Sequence, residues 1–137
     1  MSTDDLAFTS AVDLAAMIRE RKVSPVELAE LVLDRADATQ SSLNAFITIP
    51  HDHTLAAARE AETAVARGDD LGPLHGVPFT VKDLVDTAGI RTTYGSLILE
   101  HNVPSADSAT VARMKTAGAV LAGKVTTPEF GHKPMNE

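Results

Sequence analysis

The chain has 137 residues, of which 44% are hydrophobic and 23% are charged, and it contains no cysteine. This composition is typical of a globular domain and argues against intrinsic disorder. The net charge of −7 argues against binding to nucleic acid or anionic lipid through bulk charge, and the lack of cysteine excludes disulfide bonds and thiolate metal sites. No apolar run approaches the roughly 20 residues of a membrane span. We therefore expect no nucleic-acid or membrane partner, and the lack of cysteine fits a reducing compartment.

The first 70 residues contain 13 acidic and 6 basic side chains, and their pattern is that of solvated helices. Ser10 is placed to cap a first helix, which we expect to end near Arg21-Lys22. Ser24-Pro25-Val26-Glu27 has the form of a capping box for a second helix, with the proline at its first position. This second helix is expected to run to about Thr39, and Ser41-Ser42 is interpreted as its end.

A short strand and a third helix follow. Residues 45–49 alternate weakly and predict the strand, which Pro50 ends. Residues 55–67 predict the helix, capped by Asp52 or Thr54 and stopped by Gly68. Because the apolar face of this helix is mostly alanine, we expect it to pack closely against another element.

The second half of the chain predicts a β-α-β unit. Residues 77–82 have strand composition, residues 83–106 form a long irregular stretch, and residues 108–117 predict a helix capped by Asp107. A buried strand over residues 119–125 follows. A strand, a helical crossover and a second strand predict parallel pairing. No closing element follows residue 125, so we expect the sheet to be incomplete at the C-terminus.

Lys82 is the most informative candidate for a chemical role. It lies at the carboxyl end of a predicted strand, where open α/β sheets place their sites, and alternation puts it on one face with Thr80. Burial would favour a neutral amine that can act as a base. The alternative is an ammonium that is solvated or paired with Asp83 or Asp86, and the spacing alone favours this alternative. For Lys124, at the end of the other strand, we expect an ammonium bonded to carbonyls or to a carboxylate.

The histidines predict no metal site. His51 and His53 are two residues apart at the start of a predicted helix, where such side chains point in different directions, and no third ligand has a fitting spacing. His75 and His132 lie in predicted loops, where a polar structural role is expected. No glycine-rich phosphate loop or serine elbow occurs in the sequence.

The second half resembles the amidase signature family. Residues 72–83, Gly-Pro-Leu-His-Gly-Val-Pro-Phe-Thr-Val-Lys-Asp, are similar to its N-terminal motif. Residues 92–96 resemble its threonine-rich Gly-Ser segment, and residues 123–131 resemble its next strand-end motif. The helices over residues 10–67 match its usual lead-in. The family includes general amidases and aryl and fatty-acid amide hydrolases. It also includes the A subunit of the transfer-RNA-dependent amidotransferase.

The resemblance implies a fold and a reaction. The implied fold class is α/β: the N-terminal part of the family's α/β/α fold, with a helical lead-in and strands of a mixed sheet. In that family the lysine at the position of Lys82 is the base of a Ser–cis-Ser–Lys triad that hydrolyses carboxylic amides, and the resemblance implies a cytoplasmic enzyme without a metal or organic cofactor. The family's two serines lie downstream of the last motif that this chain matches. We therefore expect residues 1–23 to be the lead-in and residues 24–137 the first portion of an amidase domain, inactive alone.

Three functions remain open at this point. The first is an amidase with a small-molecule amide substrate, a catalytic Lys82, no cofactor and the option of a homo-oligomer. The second is an A-subunit-like part of the amidotransferase, which uses glutamine-derived ammonia with partner subunits and transfer RNA. The third is a non-catalytic protein that binds a partner through the unfinished sheet edge, although an exposed parallel edge favours aggregation.

Overall fold

The computed structural model describes residues 6–132, which form helices packed against a mixed sheet. The helices and strands follow in this order: α1 (Ala11–Arg19), α2 (Pro25–Leu43), β1 (Phe46–Thr48), α3 (His51–Arg67), β2 (Pro78–Lys82), α4 (Ala109–Thr116) and β3 (Val120–Val125). Short 3₁₀ turns at Leu97–Leu99 and Glu129–Gly131 add to these. Within the described residues, no helix has the length and apolar character needed to cross a membrane.

The sheet has the strand order β1-β3-β2 among the described residues. β2 pairs in parallel with β3, which confirms the pairing predicted from the β-α-β pattern. β1 pairs antiparallel with the other edge of β3, so the sheet is mixed, as the resemblance implied. Gly123 lets the ring of Phe46 pack on β3, because a Cβ atom at residue 123 would lie 2.7 Å from that ring.

The helices bury an apolar core and leave the acidic side chains outside. The larger cluster joins α1, α2, the end of α3 and the start of the β-α-β unit; its buried residues are Leu6, Leu14, Ala15, Ile18, Val23, Leu28, Val65 and Val77. A second cluster packs the alanines of α2 and α3 on β3 through Ala29, Ala58, Ala61 and Val120. The close packing predicted from the alanine face is confirmed.

Two helix caps differ from the sequence prediction. α3 begins at His51 after Pro50, without a side-chain cap, so the prediction of Asp52 or Thr54 is wrong. Thr54 is buried instead, and its Oγ1 donates to the carbonyl of Leu121 in β3 at 2.8 Å. A buried hydroxyl needs such a partner, and the carbonyl of Pro50, at 3.0 Å, is a second acceptor within reach.

The predicted cap of α4 is also wrong by one residue. Ser108 caps the helix, and its Oγ accepts from the amide of Val111. The carboxylate of Asp107 accepts from the amide of Ala88 at 2.8 Å and from Lys115 Nζ at 2.8 Å. Asp107 therefore ties the irregular stretch to the helix. Helix ends differ too, since α1 ends at Arg19 and α2 continues to Leu43.

Ser24 caps α2 as predicted. Its Oγ accepts from the amides of Val26 at 3.0 Å and Glu27 at 3.3 Å, and it donates to Glu62 on α3. We expect Ser24→Ala to lower the free energy of unfolding by about 1 kcal/mol, because two amides lose their acceptor. Ser42→Ala is the matched control, since Ser42 is exposed and, within residues 6–132, its hydroxyl donates only to the carbonyl of Thr39. Urea denaturation measures both, and equal losses would contradict the capping role.

His51 connects the start of α3 to α2. Its Nε2 lies 2.8 Å from Asp37 Oδ2, and the hydrogen bond to Asp37 raises the pKa of His51 above its ordinary value of 6.5. A raised folded-state pKa stabilises the protein below the unfolded pKa, and this contribution is lost as pH rises through the folded value. Both side chains are about half exposed, so we expect the pair to contribute less than about 1 kcal/mol to the free energy of unfolding.

Denaturation of wild type and Asp37→Asn at a series of pH values tests this pair. The difference in stability between the two proteins should be largest at pH values below 6.5 and should shrink as the imidazolium loses its proton. A difference that does not change with pH would contradict the assignment of an ion pair.

Candidate active site

Lys82 is the last residue of β2, and its side chain is exposed at the carboxyl edge of the sheet. The backbone around it is fixed: its carbonyl accepts from the amide of Val85 at 3.0 Å, and the next amide donates to the carbonyl of Val125 at 2.9 Å. The predicted alternation is confirmed, since Thr80 and Lys82 are exposed and Val81 is half-buried. Within residues 6–132, the ammonium makes no hydrogen bond or ion pair. The backbone of Lys82 is therefore held by hydrogen bonds, whereas its amine has no partner among these residues.

Of the two options for the Lys82 ammonium, solvation or pairing with Asp83 or Asp86, the structure of residues 6–132 shows the first. Asp83 is fully buried, and its Oδ2 accepts from the amide of Thr93 at 2.8 Å and from its hydroxyl at 2.6 Å. Asp86 accepts from the phenol of Tyr94 at 2.6 Å, and this hydrogen bond raises the pKa of Tyr94. Both carboxylates therefore bind the threonine-rich segment.

Lys124 lies on the neighbouring strand and is fully buried. Its Nζ donates to the carbonyl of Val85, to Thr92 Oγ1 at 2.9 Å and to Thr87 Oγ1 at 3.2 Å. Burial lowers the pKa of Lys124, and the negative charge of Asp83, 3.8 Å away, opposes that shift. The expectation of an ammonium bonded to carbonyls or a carboxylate is confirmed, but sequence reasoning missed the two threonines.

Two loops meet beside these strand ends in left-handed backbone conformations. Tyr94 and Phe130 have φ values of 56° and 49°, and the amide of Phe130 donates to the carbonyl of Tyr94 at 2.8 Å. Gly95 has a φ of 68°, and a Cβ there would lie 2.6 Å from the carbonyl oxygen of Thr127. The predicted turn role of Gly95 is confirmed. Left-handed non-glycine residues are uncommon and gather at functional sites.

The histidines lie outside this arrangement. His51 binds Asp37, and His75 Nε2 contacts the carbonyl of Ala61 at 2.9 Å on α3. His132 Nδ1 contacts the carbonyl of Glu129. Among residues 6–132, no three histidine or acidic side chains are grouped in a way that could hold a metal ion.

The ends of β2 and β3 lie in a part of the chain that matches a known protein family. The sequence profile of the family described as Amidase matches residues 27–135. Because this match covers most of the chain, the chain belongs to the amidase family.

Relatives and solved structures agree with this assignment. The A-type subunit of glutamyl-tRNA(Gln) amidotransferase from Carboxydothermus hydrogenoformans is 41% identical over 92% of this chain and 26% of its own length. An acylamidase of Rhodococcus erythropolis is 36% identical over 96% of this chain and 28% of its own length. The structure of peptide amidase from Stenotrophomonas maltophilia superposes with a TM-score of 0.84 at 33% identity, covering 90% of this chain and 26% of that enzyme. The chain thus spans about a quarter of the length of these relatives.

Proposed function

We propose that the protein containing this chain hydrolyses carboxylic amides and that Lys82 is its general base. The observation that carries the proposal is the exposed, unpaired amine of Lys82 on a fixed strand end, within a segment of the amidase family. Lysine abstracts a proton only as a neutral amine, and exclusion of water favours that form. A later part of the protein would supply both the serines and this exclusion of water.

The proposed reaction proceeds through an acyl-enzyme. The neutral amine of Lys82 takes a proton, relayed through a bridging serine, from a nucleophilic serine. That serine attacks the amide carbonyl, backbone amides stabilise the oxyanion, and the amine leaves with a proton. Water then hydrolyses the ester. In this proposal residues 1–23 are a helical lead-in, residues 24–137 are the first part of the amidase domain, and the protein acts in the cytoplasm on small-molecule amides.

Trapping of the acyl-enzyme tests the reaction class. The complete protein is incubated with a primary amide, an aryl amide and a peptide carboxamide, with and without hydroxylamine. We expect release of ammonia or amine from at least one substrate, and a hydroxamate when hydroxylamine is present, because hydroxylamine intercepts the ester. The absence of both products with all three substrates would contradict the amidase proposal.

A second candidate function is supported by a specific observation. Several of the relatives are A-type subunits of glutamyl-tRNA(Gln) amidotransferases, which are 41% to 46% identical to this chain. A protein of that kind would work in an assembly with other proteins. If glutamine hydrolysis required added partner proteins and charged transfer RNA, and simple amides were not cleaved, this second function would replace the first.

A further inference from the structure

A buried ammonium on the strand next to Lys82 has no part in the proposed chemistry. Lys124 is 0% exposed, and lysine is almost never fully buried unless its charge is paired. In the parallel register Lys124 stands opposite Val81, and Val125 stands opposite Lys82. The two lysines are therefore held by the same section of the β-ladder, one with a buried side chain and one with an exposed side chain.

The partners of Lys124 all lie in the segment that leaves the Lys82 strand. The ammonium donates to Val85, Thr87 and Thr92, and it lies 3.8 Å from Asp83. These residues come from both arms of the irregular stretch, which is not stabilised by a helix or a strand of its own over residues 83–96. One charge therefore fixes the path of the chain on both sides of this stretch.

This segment also holds the backbone of Lys82 directly. The amide of Val85 donates to the carbonyl of Lys82, and the carbonyl of Val85 accepts from Lys124. The carbonyl of Asp83 accepts from the amide of Tyr94 at 3.0 Å. The peptide unit that follows Lys82 is thus connected to the ammonium of Lys124 through one intervening residue.

We propose that Lys124 is a positioning residue, whose buried ammonium holds the 83–87 turn against the 92–94 segment and thereby fixes the amine of Lys82 at the reacting centre. The inference rests on the proposed role of Lys82 and extends it to a residue that does not touch the substrate. Misplacement of a reacting group by about 1 Å can lower turnover about 10²-fold.

The test uses the complete protein and two variants of this contact. Lys124→Met keeps an unbranched chain without charge. Thr92→Val removes, with little change of shape, the hydroxyl that accepts from Lys124 and donates to the carbonyl of Ile90 at 3.1 Å. For folded Lys124→Met we expect kcat to fall about 10²-fold, with KM changed less than twofold. Thr92→Val should lower kcat by a smaller factor. Lys115→Met is the matched control: it removes the ion pair with Asp107, and we expect kcat to stay within twofold of wild type.

The Lys82→Ala background separates positioning from general loss of structure. There Lys124→Met should change the residual kcat, measured at high enzyme concentration, less than twofold, because no amine remains to be positioned. An equal fall of kcat in both backgrounds, or an unchanged kcat in the wild-type background, would overturn the inference. If Lys124→Met does not fold, Thr92→Val takes its place in the same comparison. If Lys82→Ala itself keeps near-normal turnover, the proposed function fails instead.

Discussion

Lys82→Ala should lower kcat of the complete enzyme by about 10²- to 10⁴-fold, the range measured when a general base is removed. The expected loss is chemical, because the side chain is exposed and contributes no hydrogen bond or ion pair within residues 6–132. The variant should therefore stay folded, because no interaction that holds residues 6–132 together is removed. Steady-state kinetics and urea denaturation measure turnover and folding on the same preparation.

Lys22→Ala is the matched control for Lys82→Ala. Lys22 is an exposed lysine that pairs with Glu20 at 2.6 Å, and it lies between α1 and α2, outside the strands of the sheet. We expect both turnover and stability to stay near those of wild type. Near-normal turnover of Lys82→Ala at neutral pH would reject the general-base role, and a loss of folding in that variant would show that Lys82 is structural.

The second large effect is expected at Asp83. Asp83→Asn removes the negative charge 3.8 Å from the buried ammonium of Lys124, while keeping the size of the side chain. Asp83 Oδ1 has no hydrogen-bond partner in the described structure, so its interaction with Lys124 is through charge. Removing one partner of a buried ion pair lowers the free energy of unfolding by about 3–5 kcal/mol. We therefore expect a loss of unfolding free energy in this range.

A double-mutant cycle identifies the partner of Asp83. Asp83→Asn combined with Lys124→Met should lose less stability than the two single variants together, with a coupling of about 0.5–3 kcal/mol. The reason is that the second change removes the charge left unpaired by the first. Strictly additive losses in urea denaturation would contradict a direct interaction between the two side chains.

Local features of the chain could be predicted because they depend on neighbours in sequence. The Ser24 cap needs only the serine, the following proline and two nearby amides. The exposed face of Lys82 follows from the two-residue period of a strand. The parallel pairing of β2 with β3 follows from the intervening helix.

Features that depend on distant partners could not be predicted. Asp107 has the composition of a helix cap, but Lys115 and the amide of Ala88 compete for its carboxylate, and Ser108 caps the helix instead. The sequence left open whether Lys82 is solvated or paired with Asp83 or Asp86, and the choice depended on Thr93 and Tyr94, which bind those two carboxylates. Lys124 is buried beside Asp83, and the spacing of the two residues in the sequence does not predict that contact.

The coding sequence beyond Glu137 tests the central claim most directly, because a lysine base needs a serine to act upon. We expect an open reading frame that continues into a segment of the form Gly-Gly-Ser-Ser-Gly-Gly, which would supply the bridging and nucleophilic serines. A stop codon directly after Glu137, or a continuation without such a serine pair, would contradict the assignment of Lys82 as the base of an amidase triad.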